Sequence, residues 1–437
     1  MPQPEMQKKG IDWSPLWKQE DWWAVWFGFV LIFIAASGIV TKLPSFAKWT
    51  SLGQAIPAAS WMPLLLLLIG LGILTSIGIK GMGGNVGKYL VAFPVVFILA
   101  VIAQVLAAHN IAKSYNLEVP LWGLIVGLLV SNTIRTPAWL KPAVKTEMFI
   151  KTGLVLLGCE ILFGRIVALG IPGLMVAWIV TPIVILFMYW FGTSVIKMES
   201  KEFALTLSAA TSVCGVSAAI ATGAACGAKK EETSVAITIS LLFTVIMLVA
   251  MPLFIKAIGM DPDVGAAWIG GTIDSTGAVV AAGAFLGQRG LEISSVVKMI
   301  QNVLIGIIAF IVAVIWVTRM GRTESGEQAS AKEIWIRFPK FVLGFVAASM
   351  LFSFILVPSM GQAHVDSILK ITKGFRGWLF ALAFVSIGLD SNLKDLAKQI
   401  SGGKPLIQYV VGQSFNLALT LLVAWLAFGG ILFPKSF

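Results

Sequence analysis

The sequence predicts an all-α polytopic membrane protein with about 11 to 13 transmembrane segments. Of its 437 residues, 58% are hydrophobic and only 12% are charged, whereas a soluble domain is about 45–50% apolar and about 25% charged. Many apolar runs approach the roughly 20 residues that a helix needs to cross a bilayer, and they lack the alternating pattern of a membrane β-strand. The three cysteines form no CxxC pair, which argues against an extracellular disulfide scaffold.

Apolar runs define the predicted spans, and a further run at 120–131 is short enough to be a broken span. In chain order the predicted spans are 22–40, 62–79, 89–108, 148–163, 168–190, 203–226, 233–258, 264–287, 296–318, 337–358, 375–392 and 406–433. Trp22, Trp23 and Trp26 lie where the first span begins, as expected for an aromatic belt at the membrane interface.

The spans divide the chain into four predicted parts. These parts are a polar N-terminal segment at 1–21, N-terminal helices at 22–118, a first transporter half at 119–258 and a second transporter half at 259–437, with a polar loop at 319–336. Many secondary transporters are built from two halves of inverted topology. Because element types recur along the chain, we expect a two-fold repeat, and an inverted-repeat transporter fold with discontinuous helices is the fold class that this expectation and the resemblance described below favour.

The formal net charge of +11 indicates membrane topology rather than a surface for nucleic acid. Lys and Arg are scattered through the short loops and form no basic run, and such residues gather on the cytoplasmic side of a membrane protein. Their distribution predicts a cytoplasmic N-terminus. The side of the C-terminus stays open, because it depends on whether 120–131 crosses.

Two weak internal similarities are expected of a repeat, and the alternative is that Ala/Gly-rich membrane sequence produces them by chance. Residues 213–224 resemble 273–284, and residues 153–160 resemble 383–390, where both segments end in Gly-x-acid. The two offsets, 60 and 230 residues, do not describe one simple duplication.

The first interrupted segment is 206–227, with the sequence TLSAATSVCGVSAAIATGAACG. Irregular backbone persists at membrane depth only where protein or a water-filled cavity surrounds it. A break at Cys214–Gly215 would leave a half-helix beginning near Ser217, with its free N–H groups facing a site at the membrane midplane. The alternative is that these small residues only allow close helix packing.

The second interrupted segment is 268–287, in which Asp274 lies inside an apolar run. A carboxylate at the centre of a membrane helix costs at least about 2.5–3.5 kcal/mol, so it is a candidate for function. Ser275, Thr276 and Gly277 follow it and would permit a second broken helix. The alternative is that Asp274 caps a helix at the interface.

Other polar residues near apolar runs have two interpretations each. Glu160 and Asp390, the latter followed by Asn392, are candidate ligands of a coupling ion or interfacial groups. Lys298 could bind an anion or extend its amine to the headgroups. His109 and His364 are the only histidines, and no HExxH pattern or Cys/His cluster occurs. We therefore expect no enzyme activity, no catalytic residue, no cofactor and no metal site.

Four runs, LWGLIVGLLVSN, FIKTGLVLLGCEIL, SVCGVSAAIATGAA and AWIGGTIDSTGAVVAAG, resemble the YeiH-type sulfate exporter family of bacterial inner-membrane proteins. The resemblance implies a secondary transporter related to bile-acid carriers and sodium/proton antiporters, with discontinuous helices that cross at mid-membrane. It carries over Cys214, Gly215 and Ser217 on one break, and Asp274, Ser275 and Thr276 on the other. Many members have a His-Glu pair where this chain has Asp-Ser-Thr-Gly, which puts the substrate and coupling ion in doubt.

We therefore predict a secondary active transporter of a small inorganic or organic anion, of the sulfate or organosulfonate class, in a bacterial inner membrane. The expected substrate ligands are Cys214, Gly215, Ser217, Asp274, Ser275, Thr276, Gly277 and Lys298. The expected ligands of the coupling H⁺ or Na⁺ are Asp274, Glu160, Asp390 and Asn392. Two alternatives are a cation/proton antiporter without an anion substrate, and a channel or non-transporting membrane protein. The expected partners include the lipid bilayer and a second copy in a homodimer, and exclude nucleic acid.

Overall fold

A computed structural model describes residues 14–114, 119–161, 163–320, 335, 338–392 and 403–434. Every secondary-structure element named within these residues is a helix. Seven of the helices described are long and apolar enough to cross a membrane. The prediction of an all-α polytopic membrane protein is confirmed. The predicted loop at 319–336 and the segment 1–13 fall almost entirely outside the described residues.

Most of the principal helices coincide with predicted spans, and the exceptions are the segments 203–226 and 264–287. In chain order they are α1 (Glu20–Ala36), α2 (Trp61–Gly81), α3 (Val86–Ala108), α4 (Val119–Thr133), α5 (Thr146–Glu160), α6 (Phe163–Leu174), α7 (Val180–Trp190), α8 (Lys201–Ser212), α9 (Ser217–Cys226), α10 (Lys230–Ala257), α11 (Pro262–Thr272), α12 (Thr276–Phe285), α13 (Gln288–Met320), α14 (Lys340–Met350), α15 (Gln362–Asp390) and α16 (Gly403–Phe428). A π-helical turn at Met175–Ile179 joins α6 to α7, and another at Leu351–Leu356 extends α14 toward Met360.

The segment 203–226 does not cross the membrane, and its prediction as a span is wrong. α8 and α9 fold back on each other, because the Cys226 Sγ lies 3.7 Å from both the Glu202 carbonyl oxygen and the Thr206 Oγ1. The two ends of the segment therefore lie on the same side. Each arm has only 10 to 12 residues, which reach about 15–18 Å at 1.5 Å per residue, too short to cross roughly 30 Å of hydrocarbon. We call α8 and α9 hairpin 1.

The segment 264–287 is a second re-entrant hairpin and not the predicted span. Arg289, just after its second arm, forms an ion pair with Asp263 at the start of its first arm. A Cβ atom added at Gly270 or Gly283, one on each arm, would contact Ser294 of α13 in both cases. We call α11 and α12 hairpin 2.

The hairpins enter from opposite sides of the bundle. α13 begins beside the base of hairpin 2, while near its far end the Trp316 indole donates to Glu202 at the base of hairpin 1, at 3.4 Å. Outside the two hairpins the described residues form eleven helical rods, and seven of these are long and apolar enough to cross a membrane. The total of 11 to 13 spans stays a prediction.

The helices form two packed units. The frame unit contains α1 to α5, α14 and α15, in which α15 packs on α4 and α5 while α14 packs on α1 and α5. The core unit contains α6 to α13 and α16, in which α13 contacts both hairpins and α16 packs on α7, α8 and α11. The hairpin tips therefore lie inside the core unit, held by two long helices.

The sequence similarity with an offset of 230 residues relates α5 to α15. A Cβ atom added at Gly158 of α5 would collide with the backbone of α14 at Phe345, and one added at Gly388 of α15 would collide with the backbone of α4 near Gly127. Both helix pairs approach closely because glycine has no side chain. Gly158 and Gly388 therefore have equivalent places in two similar helix pairs.

The order of elements explains why a single offset cannot align the halves. In the first half, hairpin 1 and α10 follow α4 to α7; in the second half, hairpin 2 and α13 precede α14 to α16. The matched rods run in opposite directions: α16 is antiparallel to α7, because Gly192 lies against Gln408 and Met188 against Gly412. The helix directions therefore match an inverted repeat. In its second half, the hairpin and the helix after it come before the other helices instead of after them.

Candidate functional site at the hairpin tips

The tips of the two hairpins meet inside the core unit. The Gly215 N–H of hairpin 1 donates to the Asp274 carbonyl oxygen of hairpin 2 at 2.7 Å. A Cβ atom added at Gly215 would collide with the Ser240 hydroxyl and lie 3.6 Å from the Asp274 Cβ. Glycine at this position therefore allows the two tips to touch. The predicted breaks are confirmed, since α9 begins at Ser217 and α12 at Thr276.

Asp274 lies in the break of hairpin 2 with 1% of its surface exposed. Its Oδ2 accepts hydrogen bonds from the Ser240 hydroxyl at 2.8 Å and the Tyr409 hydroxyl at 2.7 Å. Its Oδ1 is buried and has no hydrogen-bond partner. The alternative of an interfacial helix cap is wrong, because the residue before α12 is Ser275 and no side chain caps that helix.

Lys298 of α13 is also 1% exposed, so it does not extend to the headgroups. Its ammonium group donates to the carbonyl oxygens of Val213 and Ile273, at 2.5 Å and 2.7 Å, and to the Gln301 Oε1 at 2.7 Å. Val213 and Ile273 end the first arms of the two hairpins, where the helix dipole is negative. Lys298 therefore holds the two tips together through hydrogen bonds to both. These bonds and the one to Gln301 use the three N–H donors of the ammonium group.

Gln301, one turn further along α13, extends this clamp. Its side-chain amide donates to the carbonyl oxygens of Ser212 at 2.9 Å and Gly271 at 3.0 Å, one from each hairpin. Gln301 and Tyr409 were not among the predicted site residues. The signal was available, because polar side chains inside apolar runs of a membrane protein are candidates for function.

The second arms of the hairpins begin without side-chain caps, and the first N–H groups of a helix lack partners within the helix. Their surroundings differ. Ser217 is exposed and Cys214 is half-buried, whereas Thr276 is buried and its hydroxyl accepts a hydrogen bond from Asn302 at 2.9 Å. The frame unit covers Gly277 at the tip of hairpin 2, whereas Ser217 at the tip of hairpin 1 is exposed.

The cover over hairpin 2 comes from the frame unit. A Cβ atom added at Gly277 would lie 3.4 Å from Ile150 of α5 and 3.4 Å from Ile387 of α15. Ser275, at the other side of the same tip, is half-buried. The tip of hairpin 2 is thus one contact between the core unit and the frame unit, and another is the hydrogen bond from Gln288 of α13 to Glu160 of α5 at 3.3 Å.

The structure does not bring Glu160, Asp390 or Asn392 to Asp274. The Arg376 guanidinium donates two hydrogen bonds to the Glu160 carboxylate, at 2.6 Å and 2.9 Å, within the frame unit. Asp390 is exposed at the end of α15, and the Asn392 amide donates to the Ser131 carbonyl oxygen. Arg376 is a further residue that was missed, because 216 residues separate it from Glu160.

The comparisons with known proteins point to one family. A family profile described as conserved hypothetical protein 698 matches residues 92–409. The chain is 52% identical over 396 residues to a UPF0324 membrane protein of Rhodopirellula baltica, covering 90% of this chain and 73% of that protein. It is 52% identical over 377 residues to a UPF0324 membrane protein of Nitratidesulfovibrio vulgaris, covering 85% of this chain and 65% of that protein.

A more distant similarity extends over almost the whole of both chains. A UPF0324 membrane protein of Nitrosomonas europaea is 28% identical over 483 residues, covering 96% of this chain and 98% of that protein. The names of these relatives state a membrane location and no substrate. No solved structure shows significant similarity.

Proposed function

The chain belongs to the UPF0324 family of membrane proteins, and we propose that it is a secondary active transporter of a small anion, coupled to H⁺ or Na⁺. The observation that carries the proposal is the meeting of two opposed hairpin tips around the buried carboxylate of Asp274. Transporter sites are commonly built from interrupted helices near the membrane midplane, at the interface of inverted repeats. Sulfate and organosulfonates are the proposed substrate class, on the family resemblance of the hairpin sequences.

The proposed anion site lies at the N-termini of α9 and α12. Unpaired N–H groups and the positive end of the helix dipole favour an anion at such a terminus. Cys214 and Ser217 on one tip and Ser275 on the other retain exposed surface, so a ligand can reach them. Thr276 and Gly277 are buried and support the second arm.

Asp274 and Lys298 have different proposed roles at this site. Asp274 has one unpaired carboxylate oxygen, which suits a group that binds and releases a cation. Lys298 donates to three protein oxygens, so we assign it to holding the tips together rather than to binding the anion. Glu160, Asp390 and Asn392 belong to the frame unit, so the proposed coupling-ion site does not include them.

Alternating access is proposed to arise from movement of the core unit against the frame unit. Lys298, Gln301 and the hydrogen bond from Gly215 tie the two tips together, so the hairpins would move as one body. In the present conformation hairpin 2 packs against Ile150 and Ile387 while Ser217 is exposed. The site is therefore proposed to open toward the base of hairpin 1.

We propose a bacterial inner membrane as the location, with the base of hairpin 1 and the N-terminus on the cytoplasmic side. Re-entrance of hairpin 1 places Lys229 and Lys230, which follow it, on the same side as Lys197, which precedes it, and Lys201, which begins it. Such clusters of Lys mark cytoplasmic loops. Assembly as a homodimer stays a prediction.

Currents recorded from reconstituted protein on a solid-supported membrane test the proposal. We expect currents that depend on the identity of the anion, with sulfate or an organosulfonate active and chloride or gluconate inactive. Empty liposomes provide the control. Currents that follow a Na⁺ or H⁺ gradient equally with every anion would reject anion transport and support a cation/proton antiporter. That alternative is favoured by one observation, the unpaired acceptor of Asp274.

A further inference from the structure

The junction of α10, α11 and α16 contains buried oxygen atoms without partners. They are the Asp274 Oδ1, the Thr272 Oγ1 and the Thr244 Oγ1. Leaving a buried polar group unpaired costs about 1–3 kcal/mol, and more for a charged group. A cluster of such atoms in a well-packed interior therefore indicates a ligand that contacts them together.

Hydrogen bonds connect the elements that carry these three residues. Thr272 ends the first arm of hairpin 2, two residues before Asp274. Thr244 is one helical turn beyond Ser240 on α10, and the Ser240 hydroxyl donates to Asp274 at 2.8 Å. The Gln413 amide of α16 contacts both the Thr272 carbonyl oxygen, at 3.2 Å, and the Met247 sulfur of α10, at 3.0 Å.

We infer that Na⁺ binds at this junction, with the Asp274 Oδ1 and the hydroxyl oxygens of Thr272 and Thr244 as ligands. The inference rests on the proposed function, since it names the coupling ion of that transporter. All three atoms are hard oxygen donors, which suit alkali and alkaline-earth cations rather than transition metals. The site offers one carboxylate, and the Lys298 ammonium already lies at the same tips, so a monovalent ion leaves less excess positive charge there than a divalent ion.

A proton satisfies the site less completely than Na⁺. Protonation of the Asp274 Oδ1 removes one unpaired charge but leaves both threonine oxygens without a partner. The nearby donors are already used, because Tyr409 and Ser240 bond the other carboxylate oxygen and Lys298 bonds three other acceptors. A metal cation contacts all three oxygens at once.

The test is a Na⁺ titration of the purified full chain, with choline replacing Na⁺ at constant ionic strength and thermal unfolding as the readout. A ligand that binds only the native state raises its apparent stability in a saturable way. We expect such a rise with Na⁺ but not with K⁺ or choline. Thr272→Val and Thr244→Val should each raise the half-saturating Na⁺ concentration by about tenfold.

Thr152→Val is the matched control, because Thr152 is equally buried but lies in the frame unit and donates to the Met148 carbonyl oxygen. It should leave the half-saturating concentration unchanged. A titration without saturation, or one unaffected by both Val changes at the junction, overturns the Na⁺ site. Anion-dependent currents that need no Na⁺ would reject this site while leaving anion transport intact, and Na⁺ binding without such currents would do the reverse.

Discussion

Asp274→Asn is expected to lower ion-coupled transport by at least about 100-fold while the protein still folds. Asn retains an oxygen that can accept from Ser240 and Tyr409, so the tip contact survives. It loses the negative charge, and the loss of a charged interaction of about 3 kcal/mol corresponds to about 100-fold. The measurement is the initial rate of substrate uptake into proteoliposomes under a Na⁺ or H⁺ gradient.

Asp390→Asn is the control for this change. Asp390 is also a carboxylate near the end of an apolar helix, but it is exposed in the frame unit and makes no contact with the hairpin tips. We expect its uptake rate to stay within about twofold of the natural protein, as for most exposed substitutions. Equal losses in both variants, or no loss in Asp274→Asn, would contradict the assignment of Asp274.

The second large effect concerns the movement of the core unit. In a variant that lacks the three native cysteines and is first shown to transport, Gly277→Cys with Ile387→Cys should be joined by a short bis-methanethiosulfonate crosslinker, because a Cβ atom at Gly277 lies 3.4 Å from the Ile387 side chain. The crosslink should hold hairpin 2 against the frame unit and stop transport almost completely. Reduction should restore it. Gel mobility and uptake by the same proteoliposomes provide the measurement.

The inverted repeat predicts which pair meets in the opposite conformation. The offset of 60 residues relates Gly277 to Ser217, and the offset of 230 relates Ile387 to Leu157. Ser217→Cys with Leu157→Cys should therefore crosslink slowly, and faster under conditions that favour the opposite conformation. Crosslinking of both pairs at the same rate, or full transport by the crosslinked Gly277 pair, would contradict the proposed movement.

The breaks in the two hairpins could be predicted from the sequence. Cys214–Gly215 and Asp274 interrupt apolar runs with groups that a lipid-facing helix does not tolerate. The structure places the breaks there, with α9 beginning at Ser217 and α12 at Thr276. Local composition was enough, because the disruption of a helix depends on the residues at the break.

The direction of the chain after each break could not be predicted. A broken span and a re-entrant hairpin of about 24 residues have the same length and hydropathy. The difference depends on distant contacts, such as that of Cys226 with Glu202 and that of Arg289 with Asp263. The two unequal sequence offsets reflect the different order of hairpin and helices in the two halves. They can be interpreted in this way only when the directions of the helices are known.

The roles of charged groups also depended on tertiary partners. Lys298 was a candidate anion ligand because it opens an apolar run, yet two backbone carbonyls and Gln301 surround its ammonium group. Glu160 was a candidate coupling group, yet Arg376 forms a bidentate pair with it. Arg376 and the two carbonyl partners of Lys298 are far from these side chains in the sequence, so composition and spacing do not reveal them. Gln301 is the exception, because it lies three residues from Lys298.

The rate of alkylation of Cys214 tests directly whether the hairpin tips bind the anion. Cys214 is half-buried in the break of hairpin 1, whereas Cys159 and Cys226 are buried and serve as internal references. Mass spectrometry of the natural chain can follow all three cysteines after exposure to a small thiol reagent. We expect sulfate or an organosulfonate, with Na⁺, to slow alkylation of Cys214 by about fivefold or more, and to have no such effect in Asp274→Asn. An alkylation rate that no transported anion changes would contradict a binding site at the tips.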